Sequence, residues 1–280
     1  MKTVVLFGAG QVGTMVCRLI GTDFSVLCFA DNNEEKWETA IGGIPIVSPE
    51  KSLSYKPDYY CVCVTDDERA DILSSQIRNM GFNGPILSPR DLRVFDSRVA
   101  TMRLLAEQIN REEIPGDIAE LGVFRGDFAA LLNSAFTGRT IHLFDTFEGF
   151  DSRDISTEKE YGFSRAKTGD FSETAEETVL SKLPYPEMSV FHKGYFPDTF
   201  AGCENLRFAF VSIDADLYAP TAAALPLFYD RLSPGGVLLI HDVNSTQFLG
   251  AGKAVEDFCH EQGLLYMPVC DLHGSAVIRK

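Results

Sequence analysis

The chain has 280 residues, enough for about two ordinary domains, each with its own core. Its 45% hydrophobic and 23% charged residues are those of a globular protein, with no low-complexity tract. A formal charge of -15 without a basic stripe excludes nucleic acid and anionic membrane surfaces as partners, and no apolar run nears the roughly 20 residues that span a bilayer.

The N-terminus enters a strand at Thr3 without a signal-peptide pattern. The first unit reads as strand 3–8, helix 11–21, strand 25–30, strand 59–64, helix 67–80 and a short strand near 85–87. Strands alternating with helices in this way predict a parallel, doubly wound sheet. Gly8, Gly10 and Gly13 have the spacing of a dinucleotide turn, and Asp31 ends the second strand, where an acid often meets a ribose. Residues 31–46, from Asp31-Asn32-Asn33 to Gly42-Gly43-Ile44-Pro45-Ile46, read as a loop in place of a long crossover. The turn, the Asp-Asn pair and the Gly-Ile-Pro run resemble the small Rossmann-like domain that precedes sugar-modifying enzymes of surface-polysaccharide pathways. That resemblance implies a site for a nucleotide-linked sugar. A fold whose glycines serve only helix–strand packing stays open beside it. Cys61 and Cys63 alternate in a strand-like run and Cys17 sits on a helix, so the seven scattered cysteines read as reduced structural thiols. Zinc would need tighter Cys/His clustering than the sequence offers. We expect a cytoplasmic protein.

Residues 97–111 predict an amphipathic connecting helix with Val99, Met102, Leu105, Ala106 and Ile109 on one face. We place the domain boundary at 1–92 and 93–280. In the second unit, strand 117–121 runs into Gly122, and Gly126 opens the next helix. Strand 140–144 ends in Asp145, so this reads as the S-adenosylmethionine version of the nucleotide turn, with the carboxylate accepting the ribose hydroxyls. Residues 145–177 are rich in acids and read as a solvated loop of the kind that forms a lid. Strands 208–213 and 236–240 run into Asp214-Ala215-Asp216 and His241-Asp242. Strand ends line the crevice of an open α/β sheet, so Asp214, Asp216, His241 and Asp242 form a candidate divalent-metal site for magnesium or manganese. Asp214 and Asp216 acting only as caps for a helix near 219 is the plainer reading. His142 and His192 read as structural, and Cys203 has no histidine near it in motif order.

Five segments resemble the macrocin O-methyltransferase family. They are Glu120-Leu121-Gly122-Val123-Phe124-Arg125-Gly126, Phe144-Asp145-Thr146-Phe147-Glu148-Gly149-Phe150, Lys193-Gly194-Tyr195-Phe196-Pro197-Asp198-Thr199, Ile213-Asp214-Ala215-Asp216-Leu217-Tyr218, and Ser233-Pro234-Gly235-Gly236 followed by His241-Asp242. The resemblance covers roughly residues 100–280 and keeps the motif order. It implies a class I methyltransferase fold and methylation of sugar or aromatic hydroxyls, using S-adenosylmethionine and a divalent metal. It places Glu120, Gly122 and Gly126 on the cofactor turn, Asp145 at the ribose, and Asp214 and Asp242 on the metal. Asp216 or His241 completes the shell or acts as base, so Asp214 and His241 are the catalytic candidates. The family carries an Asp pair where this chain has His241-Asp242. Asp170-Phe171-Ser172 resembles a segment near the adenine.

We therefore expect an α/β protein of two Rossmann-like doubly wound domains, a homo-oligomeric O-methyltransferase acting on a sugar or glycan. The rival of another class is an NAD(P)-binding oxidoreductase or redox sensor built on Gly8, Gly10 and Gly13. The first unit lacks a Tyr-x-x-x-Lys pair or another hydride-transfer acid for that chemistry. A non-catalytic nucleotide-binding scaffold is the third reading, and the full set Asp214, Asp216 and Asp242 argues against it.

Overall fold

The computed structural model describes residues 2–20, 24–64, 66–92, 96–271 and 274–280. It divides into compact units at residues 1–100 and 101–280. The boundary expected after Leu92 adjoins residues 93–95, which lie outside the described set, as does residue 21 at the end of the expected first helix.

The first unit contains β1 (Lys2–Phe7), α1 (Gln11–Ile20), β2 (Phe24–Ala30), β3 (Ala40–Ile41), β4 (Ile44–Val47), α2 (Pro49–Ser52), β5 (Tyr59–Val62), α3 (Asp67–Asn79) and β6 (Ile86–Leu87). Its sheet runs β3-β4-β2-β1-β5-β6 and is parallel apart from the β3–β4 pair. Central β1 is apolar without alternation because both its faces are covered: Val4 and Leu6 pack in one buried cluster, Val5 and Phe7 in the other. The expected loop over 31–46 instead holds a hairpin. Gly42 and Gly43 take φ of 57° and 83°, the pair of left-handed residues that a tight two-residue hairpin turn needs, and β4 then pairs parallel to β2.

The second unit contains α4 (Ser97–Arg111, mostly within this range), β7 (Asp117–Leu121), α5 (Asp127–Ala135), β8 (Ile141–Asp145), α6 (Ser152–Tyr161), α7 (Glu176–Lys182), β9 (Ser189–Lys193), β10 (Phe208–Ile213), α8 (Tyr218–Arg231), β11 (Leu232–Ile240), α9 (Leu249–Gln262), β12 (Met267–Pro268) and β13 (Ala276–Arg279). The strand order is β12-β13-β11-β10-β7-β8-β9, with β13 antiparallel to β11. The chain moves outward from β7 through β8 to β9 and then returns to the other side of β7 as β10. The order thus reverses between β7 and β10, and a crevice opens at their C-terminal ends. Behind it, Phe228 of α8 sits among Phe144, Phe196, Phe200 and Phe208, with ring centroids 5.2–5.8 Å away. No helix among the described residues is long and apolar enough to cross a membrane.

Candidate active site

Register brings the functional strand ends to one level. Leu121 stands opposite Phe144 and Ile213, and Ile213 opposite Ile240. The following residues, Gly122, Asp145, Asp214 and His241, therefore emerge together. Gly122 N–H donates to Phe144 C=O (2.9 Å), Asp214 N–H to Leu121 C=O (2.8 Å) and His241 N–H to Ile213 C=O (2.8 Å). A cavity of about 350 Å³ opens above them, lined by Gly122, Asp145, Asp214, Asp216, His241 and Asp242, with Phe150, Phe171 and Phe248 as apolar wall.

The residues expected on the cofactor turn divide by role. Gly122 has φ 84°, and a Cβ there would lie 2.0 Å from the Asp214 carbonyl oxygen. The absent side chain thus lets β7 and β10 end side by side, and the bare backbone faces the cavity. Gly126 caps α5 at φ 78°, and a Cβ there would meet Val179 Cγ1 of α7 at 2.8 Å. Glu120 is buried within β7 at 1% exposure. Asp145 is more committed than expected: Oδ2 accepts N–H groups from Val123 (2.7 Å) and Phe124 (2.9 Å), and Oδ1 accepts from Phe147 (2.8 Å). Its carboxylate is the clamp that shapes both loops. The first unit repeats the device. Asp31 Oδ2 accepts from Ala9 N–H (2.8 Å) and Lys36 Nζ (2.9 Å), and Oδ1 from Asn33 N–H (2.8 Å). Burial pushes Asp31 up, but the Asn33, Lys36 and Ala9 hydrogen bonds outweigh it and hold its pKa low. Gly13 has the packing role, since a Cβ there would strike the Gly8 carbonyl oxygen at 1.9 Å, whereas Gly10 has nothing within 4 Å of that position.

Asp214, His241 and Asp242 converge. His241 Nδ1 lies 2.9 Å from Asp214 Oδ1 and 2.9 Å from Asp242 Oδ2. One ligand atom from each of the three lies within 4.8 Å of the others. Cis ligands about 2.1 Å from an octahedral magnesium ion stand about 3 Å apart, so this spacing and the mostly hard donor set fit such an ion. Asp216 falls outside that grouping but lines the same cavity. Burial first, then the charges of Asp214 and Asp242, push its carboxyl well above the usual range. Neither Asp214 nor Asp216 caps α8. The N-cap is Leu217, without a side-chain bond, and Glu158 Oε1 accepts the Tyr218 N–H at 2.9 Å.

Two groupings escaped the sequence. The acid-rich stretch is only partly solvated: Asp154 and Glu158 of α6 are buried, at 6% and 0% exposure, and Asp154 lines the cavity. Phe171 lines it as well, while Asp170 Oδ2 accepts the Lys167 N–H and closes a turn. The β8–β9 pairing also gathers His142, His192 and Cys203, ligand-type residues spread along the sequence, within 4.8 Å of one another. The expectation that no Cys/His grouping is this tight is therefore corrected, and Cys203, which has no histidine near it in motif order, has His192 beside it in space. Cys203 Sγ is 4.0 Å from His192 Nδ1. Burial raises this thiol and lowers His192 to about 4, which disfavours a thiolate–imidazolium pair. His192 stacks on Phe144 at 4.2 Å, a core contact.

A family model described as macrocin-O-methyltransferase (TylF) matches residues 66–279, and one described as C2185-like, N-terminal, matches residues 1–85. The first begins earlier than the expected residue 100. An 8-demethyl-8-(2,3-dimethoxy-alpha-L-rhamnosyl)-tetracenomycin-C 4'-O-methyltransferase of Streptomyces olivaceus is 27% identical over 193 residues, 64% of this chain and 71% of that protein. Mycinamicin III 3''-O-methyltransferase of Micromonospora griseorubida is 30% identical over 157 residues, 52% of this chain and 62% of that one. Among solved structures, the O-methyltransferase NovP superposes with TM-score 0.54 at 21% identity, over 66% of this chain and 80% of its own. The calicheamicin methyltransferase CalS11 does so with 0.53 at 18% identity, over 82% and 91%. The fold is that of class I O-methyltransferases.

Proposed function

Because the chain belongs to the macrocin O-methyltransferase family, we propose that it transfers the methyl group of S-adenosylmethionine to a sugar hydroxyl, assisted by a divalent cation. One observation carries this reading: the bare turn at Gly122 and the Asp214, His241 and Asp242 grouping line a single cavity. The names of the two relatives, a rhamnosyl-tetracenomycin and a mycinamicin methyltransferase, support a glycosylated small molecule as acceptor.

The transfer is one displacement. The acceptor oxygen bonds to the methyl carbon as the carbon–sulfur bond breaks, leaving a neutral thioether, and the hydroxyl proton goes to a base. The turn clamped by Asp145 receives the methionine portion, and the cavity walls hold donor and acceptor in line. Asp214, His241 and Asp242 would hold a magnesium or manganese ion, which would supply Lewis acidity that lowers the hydroxyl pKa. Asp216 lines the cavity outside that grouping, and in its ionised form, which a cation on neighbouring Asp242 would favour, we assign the proton to its carboxylate. For the first unit we retain the nucleotide or phosphate part of a carrier-linked sugar, supported by the open space at Gly10. Asp31 is already held by Lys36 and Ala9, which weighs against a dinucleotide ribose there.

Manganese titration followed by paramagnetic resonance tests the ion site. The wild type should bind one ion per chain, and Asp214→Asn and Asp242→Asn should each weaken it about 10-fold or more. Equal manganese affinity in Asp242→Asn would remove the ion from this position.

A further inference from the structure

Most carboxylates around the cavity are already engaged. Asp145 takes three backbone N–H groups. Asp151 is forked by Arg153, Nε to Oδ1 and Nη2 to Oδ2, both at 2.9 Å. Asp214 and Asp242 face His241, and Asp216 hydrogen-bonds with Asp242. Asp154 differs. It lines the cavity at 6% exposure, its Oδ1 accepts the Tyr195 hydroxyl at 2.9 Å, and its Oδ2 accepts no hydrogen bond among the described residues. An acceptor oxygen left without a partner on a cavity wall is open to a donor from a bound molecule.

Tyr195 is held for this purpose from two sides. The Arg153 guanidinium lies 3.4 Å from its ring centroid, and Arg153 is itself fixed by the Asp151 fork. Before it, Gly194 N–H donates to the Asp145 carbonyl at 2.9 Å, which ties the segment after β9 to the end of β8. The phenol stays protonated at neutral pH, since burial and Asp154 push it to about 12. Asp154 and Tyr195 thus present one acceptor oxygen and one oriented hydroxyl in a cavity that Phe150, Phe171 and Phe248 also line. Small-molecule sites are mostly apolar with a few placed polar groups, and a carboxylate with a free acceptor oxygen suits a pair of neighbouring hydroxyls.

We propose that Asp154 and Tyr195 form a hydroxyl-binding subsite that takes a vicinal diol of a sugar ring, either the cofactor ribose or the acceptor pyranose. The subsite rests on the methyl-transfer reading above, and Asp154 is a positioning residue in it, with no part in moving the proton or the methyl group.

The test uses the full chain and two probes. S-adenosylhomocysteine, titrated by calorimetry, carries the ribose diol. Methyl α-L-rhamnopyranoside, titrated by ligand-observed NMR, carries the pyranose diol. Asp154→Ala should weaken one of them about 10-fold or more, and Tyr195→Phe should weaken the same probe less. Loss toward S-adenosylhomocysteine assigns the subsite to ribose, and loss toward the rhamnoside assigns it to the acceptor. A probe lacking the affected diol should bind wild type and Asp154→Ala alike, which a merely structural role would not produce. If Asp154→Ala fails to fold, Tyr195→Phe, which removes a single oxygen, carries the same comparison. Unchanged affinity for both probes in a folded variant overturns the subsite alone. A wild-type protein that binds neither probe overturns the subsite and the methyl-transfer reading together.

Discussion

A carboxyl group withdrawn from water keeps its proton longer than one in bulk solvent, and Asp154 is such a group. Burial first, with Asp151 and Glu158 adding to it, lifts its pKa to about 6 against the opposing Tyr195 hydrogen bond. The sign follows from linkage. The folded state favours the protonated form, so the contribution to stability is full below about pH 4 and is lost as pH rises through about 6. Asp154→Asn cannot ionise. We predict that it matches wild type in thermal stability near pH 4 and exceeds it by about 1–2 kcal/mol at pH 7.5, residual solvent screening part of the shift. Equal stability differences at both pH values would contradict the raised pKa. The sequence hid this residue among neighbouring acids that are mostly exposed. Asp214 and Asp242 were legible because each stands within two residues of the end of a buried apolar strand, whereas α6 has one apolar core residue, Ile155, and no visible stripe.

Elements were legible wherever apolar runs met glycine turns. The central strands β1, β7, β8 and β10 fall within a residue of expectation at each end, and β11 begins four residues early, at Leu232. The misses have local causes. The β3–β4 hairpin was signalled by Gly42-Gly43 between two isoleucines, and α6 by its caps. Asp151 accepts the Arg153 N–H, and Gly162 closes the helix at φ 69°. The glycines give a paired prediction. Gly122→Ala forces a Cβ to 2.0 Å from a backbone oxygen at φ 84°, and should cost about 3 kcal/mol or more by chemical denaturation. Gly10→Ala meets open space without a left-handed φ, and should change stability by less than about 1 kcal/mol. A Gly122→Ala protein as stable as wild type would refute the close approach of the two strand ends. Phe228→Ala, at the centre of the phenylalanine cluster, should cost about 3–5 kcal/mol.

At the scale of the whole chain, two α/β units repeat one motif: a glycine turn clamped by the acid that ends the second strand. The second unit adds the grouping of Asp214, His241 and Asp242 at neighbouring strand ends. That difference was readable in the sequence because parallel register makes strand ends neighbours in space. The grouping of His142, His192 and Cys203 was not, because it depends on which strand pairs with β8 at the sheet edge. The central claim is methyl transfer through the second unit's cavity, and it is tested most directly with S-adenosylmethionine labelled in its methyl group. Full-length protein, magnesium and a panel of rhamnosylated acceptors should yield labelled product, lost on chelation, restored by manganese and reduced at least about 100-fold in Asp242→Ala. Labelled product formed at the wild-type rate by Asp242→Ala in the presence of chelator would contradict the account.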